Sequence, residues 1–92
     1  MLLLPVKKGK SGKIEEQLVD PNKFMGCKPY TEGQENNPIG VIFYIDPITF
    51  KGSLVIPKFN VQDIIDLMKE AKMPIGDYRE NEILFKKTNW VF

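Results

Sequence analysis

Ninety-two residues, 42% of them hydrophobic and 27% charged, with a net charge of +1, have the size and make-up of one soluble globular domain. A chain this short buries only about 60–65% of the surface its unfolded form exposes, which leaves room for one modest core and excludes catalytic folds such as a complete (β/α)₈ barrel of roughly 250 residues. Histidine is absent and cysteine occurs once, at Cys27, so there is no imidazole base, no Ser-His or Cys-His pair, no Cys₄ zinc site and no intrachain disulfide. The fold must therefore stand on packing alone, no cofactor or metal is expected, and a lone thiol fits a reducing, cytoplasmic location.

Leu2-Leu3-Leu4-Pro5-Val6 reads as a short first strand. Its lysines follow the apolar run and do not precede it, and the run is far shorter than the roughly 20 residues of a spanning helix, so neither a secretory signal nor a membrane segment is expected. Gly9 and Gly12, within the basic stretch Lys7–Lys13, turn the chain. Residues 14–19 suit either a short helix, through the Ile14/Leu18 spacing, or a strand with Ile14, Glu16 and Leu18 on one face. Read as a strand, they close a hairpin over residues 2–19 that carries Lys7, Lys8, Lys10 and Lys13 at its tip.

From Asp20 to Pro38 no periodicity is visible, and glycines, prolines and asparagines interrupt the chain repeatedly. A connection this long exceeds the roughly 12–15 residues usual within a compact domain, so it is functional, locally structured or mobile. Phe24, Met25, Cys27 and Tyr30 give its first half enough apolar surface to tuck under the domain. Cys27 is read as a packed residue, because a reactive thiolate needs an electropositive setting that Lys23 and Lys28 alone do not certify.

Residues 39–46, Ile-Gly-Val-Ile-Phe-Tyr-Ile-Asp, carry the strongest strand signal, and their continuous apolarity predicts burial on both faces. A turn through 46–52 returns the chain as an antiparallel strand at 53–56. Asn60 then caps a helix over 60–72, with Asp63 at the third helical position, Phe59 placed to staple onto Ile64, and an apolar stripe of Val61, Ile64, Ile65, Met68 and Ala71. Pro74 and Gly76 stop it. Ile83–Lys86 predicts a further strand, and the terminal Trp90-Val91-Phe92 predicts a C-terminus docked in a sheet or an interface. The expected product is a single α+β domain over 1–92: a mostly antiparallel sheet of four to five strands packed on one main helix, with a long irregular connection at 20–38.

Few of these residues carry chemistry. Gly9-Lys10-Ser11-Gly12-Lys13-Ile14 lacks the four residues between glycines and the hydroxyl after lysine that a phosphate-binding loop requires. Asp46, Asp63, Asp66, Asp77, Glu80 and Glu82 supply carboxylates, but nothing fixes two of them at a working distance, and Asp63 and Asp66 are accounted for by the helix dipole. No enzymatic activity is expected.

The charge is unevenly spread. Residues 1–28 hold six lysines against three acids, whereas residues 60–85 hold three basic against six acidic residues. A basic hairpin tip formed by Lys7, Lys8, Lys10 and Lys13, beside aromatic side chains, would suit single-stranded nucleic acid. Against that reading, twelve of the thirteen cations are lysine, and the isoelectric point near 7.8 is below the value of about 9 typical of dedicated binders. The expectation preferred here is a small intracellular adaptor or inhibitor that binds another protein, with Phe24, Tyr30, Phe50, Trp90 and Phe92 as candidate anchors. Homodimerisation through an exposed strand edge or the C-terminal segment is a related expectation.

Overall fold

A computed structural model describes residues 1–8, 12–31 and 37–85. Its elements are β1 (Leu2–Lys8), β2 (Lys13–Val19), a 3-10 turn (Pro21–Lys23), β3 (Gly26–Tyr30), β4 (Gly40–Tyr44), β5 (Leu54–Pro57), α1 (Val61–Glu70), β6 (Asp77–Arg79) and β7 (Glu82–Leu84). The strands form one antiparallel sheet in the order β2-β1-β5-β4-β3-β7-β6. The α+β class matches the expectation, but the sheet has seven strands where four to five were expected.

The added strands come from two places. Within 20–38, read above as irregular, Asp20 caps the 3-10 turn by accepting from the Asn22 amide at 3.0 Å, and the chain then enters β3. Strand β3 contains Gly26 and Pro29, residues that local propensity assigns to turns; five ladder pairs with β4 override that preference. The three-residue β6 makes a hairpin with β7 in a stretch read above as a turn, where Glu80 and Asn81 both take positive φ. Residues 14–19 resolve to the strand alternative, pairing with β1 in an uninterrupted register from Leu2↔Val19 to Lys8↔Lys13.

The helix is nearly as expected but shorter, at Val61–Glu70. The Asn60 side chain accepts from the Asp63 amide at 2.8 Å while the Asp63 carboxylate accepts from the Asn60 amide at 3.0 Å, a reciprocal cap of the kind worth about 1 kcal/mol. Its stripe of Val61, Ile64, Ile65 and Met68 is buried in one cluster with Leu2, Leu4, Val6, Val19, Cys27, Val41, Phe43, Ile56 and Ile83. Phe24 and Phe85 flank Phe43 within the same cluster, with ring centroids 5.5 and 5.8 Å away.

Directly opposed residues of an antiparallel ladder point to the same side. The register therefore assigns the second face of the sheet to Leu3, Pro5, Lys7, Ile14, Glu16 and Leu18 at one end, and to Val55, Ile42, Tyr44, Lys28 and Tyr30 at its centre. Among the described residues no helix covers this face. This is the open face: exposed at its β1–β2 end, where Leu3 and Leu18 are 60% and 66% exposed, and buried at Ile42 and Tyr44 near its centre.

Candidate functional site

The centre of the open face is roofed by the turn after β4. Asp46 organises this turn: its carboxylate accepts from the Ile48 amide at 2.8 Å, the Thr49 hydroxyl at 2.8 Å and the Thr49 amide at 3.3 Å. Those bonds hold its pKa below the ordinary carboxylate range, the Ile48 amide contributing most. The chain then passes through positive φ at Phe50 (57°) and Gly52 (75°), which folds the Phe50 ring back over the sheet. The ring meets Tyr44 edge to face, with centroids 5.9 Å apart at 77°.

Lys28 completes this arrangement. Its ammonium lies 4.5 Å from the Phe50 ring centroid and 5.7 Å from that of Tyr44. Among the described residues no carboxylate lies within 4.0 Å of it. Beside it opens a cavity of about 540 Å³ lined by Lys28, Tyr30, Thr31, Ile42, Phe50, Ser53 and Val55. Ile42 and Val55 are ladder partners and give it an apolar floor. The ammonium and the hydroxyls of Tyr30, Thr31 and Ser53 give its walls hydrogen-bond donors. The groove thus sets an apolar floor, an aromatic wall and a cation side by side.

The groove has a fixed back wall. The buried Tyr44 hydroxyl donates to the Glu82 carboxylate. Burial, followed by that bond and by the negative charge of Glu82, pushes the phenol well above its ordinary range and keeps it protonated. Gly26 stands opposite Tyr44 in the ladder, and any Cβ there would meet the Tyr44 hydroxyl and approach the Ile83 carbonyl oxygen to 2.7 Å. Glycine is thus required for the tyrosine to reach its acid.

The residues singled out by sequence fall in three places. Tyr30 and Phe50 line the groove together. Phe24 is 7% exposed and belongs to the core on the other side of the sheet, where it presents no anchor. Trp90 and Phe92, and Lys10 among the lysines, lie outside the described residues. Lys8 and Lys13 both approach the Glu15 carboxylate, at 4.0 and 3.8 Å, so part of the charge at the hairpin tip is offset locally; Lys7 is on the open face opposite Ile14 and Val55. Sequence reasoning missed Lys28, Ile42, Ser53 and Val55. Ile42 and Val55 lie in apolar runs whose sequence does not mark which face each residue takes, and Lys28 could be found only by recognising β3.

The remaining chemistry is sparse. Cys27 is buried, and its thiol is pushed up to about 12 by desolvation first and the charge of Glu82 second, so it stays protonated. Asp63 is occupied in the helix cap and Asp66 accepts from the Gln62 side chain at 3.0 Å. Among the described residues no three potential metal ligands cluster, and no helix is long and apolar enough to cross a membrane. Comparison of the chain with protein-family models, curated proteins and solved structures finds no match.

Proposed function

We propose that this chain is a non-enzymatic, intracellular protein-binding module, an adaptor or inhibitor that holds a segment of its partner in the open-face groove. The observation that carries the reading is Lys28: a cation held against two aromatic rings, next to an apolar floor, without a carboxylate within 4.0 Å among the described residues. The partner segment that suits it has an acidic side chain beside an apolar or aromatic one, the acid accepting from Lys28 and the apolar group resting on Ile42, Val55 and Phe50. Single-stranded nucleic acid is the second reading, because a phosphate and a stacked base would use the same lysine and ring. The protein reading is preferred because Lys8 and Lys13, which a nucleic-acid path along the hairpin would need, already lie against Glu15.

Affinity capture from the native cell, with nuclease treatment and with a Lys28→Glu, Phe50→Ala double variant as control, tests the proposal. The expected result is a discrete protein retained after nuclease treatment and lost on the double variant, whose fold is verified by circular dichroism. Retention that disappears with nuclease would favour the second reading. Equal retention by both chains would remove the groove from the account.

A further inference from the structure

The two edges of the sheet are built differently. The β6 edge is three residues long, with a charged side chain at each end, Asp77 and Arg79, and short charged edges discourage pairing with another strand. The β2 edge is seven residues long, contains no proline or glycine, and pairs with β1 in continuous register without a bulge. Among the described residues nothing pairs with its outer side. On the open face it also carries the most exposed apolar patch of the sheet: Ile14 at 51%, Leu18 at 66%, and Leu3, the ladder partner of Leu18, at 60%.

We propose that β2 pairs with β2 of a second copy of this chain, antiparallel about a two-fold axis at Glu16, joining two sheets edge to edge. The occupant follows from the strand's own sequence. A seven-residue strand from 13 to 19 overlaps a two-fold copy of itself completely only when centred on residue 16. That register sets Ile14 opposite Leu18 of the second copy, and Leu18 opposite its Ile14, so the apolar patches merge across the seam, flanked by Leu3 of each copy. A shift of the centre by one residue, to 15 or 17, instead sets Glu16 opposite Ile14 or Leu18. The full-overlap register is thus also the one that matches apolar with apolar. Its adverse feature is Glu16 facing Glu16, the single charge that β2 contributes to the open face. Glu15 points to the opposite side, within reach of Lys8 and Lys13.

Self-pairing at β2 leaves the Lys28 groove, near the middle of the sheet, uncovered, so the two sites are tested separately. The weight-average mass of the full chain, followed by sedimentation over a wide concentration range, should rise from one chain toward two. Leu18→Glu removes both apolar cross-pairs and adds negative charge beside the Glu16 pair, and should weaken the dimer by about tenfold or more. Glu16→Gln should strengthen it several-fold by removing the like-charge pair. Glu16→Cys puts two thiols at the two-fold centre, where opposed Cβ atoms are about 4.5–5.5 Å apart and a small adjustment allows a disulfide. Oxidised glutathione should then cross-link Glu16→Cys readily and Gln17→Cys poorly, a readout that survives even if Leu18→Glu fails to fold. A chain that stays monomeric throughout, or a dimer in which Gln17→Cys cross-links as well as Glu16→Cys, would overturn the proposal.

Discussion

The two faces of this sheet are made from the same strands and have opposite occupations. On the covered face, Leu4, Val6, Cys27, Val41, Phe43, Ile56 and Ile83 meet Ile64 and Met68 of the helix, and all of these are at most 1% exposed. On the open face the alternate residues of the same strands run from fully buried at Tyr44 to two-thirds exposed at Leu18. The gradient has a simple origin. One ten-residue helix covers one side of a seven-stranded sheet, and the other side is roofed at its centre by the Asp46–Ser53 turn. Burial is most complete on one face, and the exposed apolar surface lies at the outer end of the other.

The largest expected effect lies on the covered face. Phe43 is fully buried between Phe24 and Phe85, and Phe43→Ala would leave a cavity that rigid neighbours on both sides cannot fill. A loss of about 3–5 kcal/mol is expected, read from the urea midpoint, which for a domain of this size approaches its whole stability. Phe50→Ala, an aromatic truncation on the open face, should cost clearly less. Equal costs would mean that the groove is a second core and not a binding surface.

How much of this contrast was legible in the sequence depended on whether the pattern was local. The covered face was readable where a periodic run survives intact: the stripe Val61, Ile64, Ile65, Met68 gave the helix, its Asn60–Asp63 cap gave its start, and the unbroken run at 40–44 gave the strand buried on both sides. Strand β3 was not readable, because Gly26 and Pro29 each argue locally for a turn and are justified only by what stands across the ladder. Gly26 is needed for the Tyr44 hydroxyl, a residue 18 positions away. The groove inherited that blindness: Phe50 and Tyr30 were singled out for their apolarity outside the clear elements, but Lys28 belongs with them only once β3 lies beside β4. Phe24 carries two readings, one tucked under the domain and one as an anchor; its burial agrees with the first and not the second.

A titration separates the two faces by pH. Cys27 on the covered face and Tyr44 on the open face both have folded acidities weaker than in the unfolded chain, where their ordinary values are 9.0 and 10.0. For an acid whose folded pKa is raised, the unfolded state loses its proton first as pH rises, so the stability contribution is intact below the unfolded pKa and is lost above it. Stability should therefore begin to fall above pH 9 through Cys27, whose folded value is about 12, and fall more steeply above pH 10 when Tyr44 joins. Each group contributes a slope of about 1.4 kcal/mol per pH unit within its window. Cys27→Ala should delay the onset to about pH 10, and Tyr44→Phe should leave the onset at 9 but remove the steepening. Urea midpoints measured between pH 8 and 11 check the order; an onset near pH 9 that persists in Cys27→Ala would assign the linkage elsewhere.

The smallest effect on folding is expected at the outer end of the open face, and its smallness is informative. Leu18 is 66% exposed and its ladder partner Leu3 is 60% exposed, so the isolated chain gains little from either side chain. Leu18→Thr keeps a residue suited to a strand and should change the stability of a dilute sample by no more than about 0.5 kcal/mol. If β2 pairs with a second copy, association adds stability by mass action, and the wild-type melting temperature must climb with protein concentration. In Leu18→Thr that climb should shrink while the dilute value stays put. A concentration-independent melting temperature in both chains would leave Leu18 as an ordinary exposed leucine. A large loss in the dilute sample would show instead that the outer end of the open face is packed as tightly as the side the helix covers.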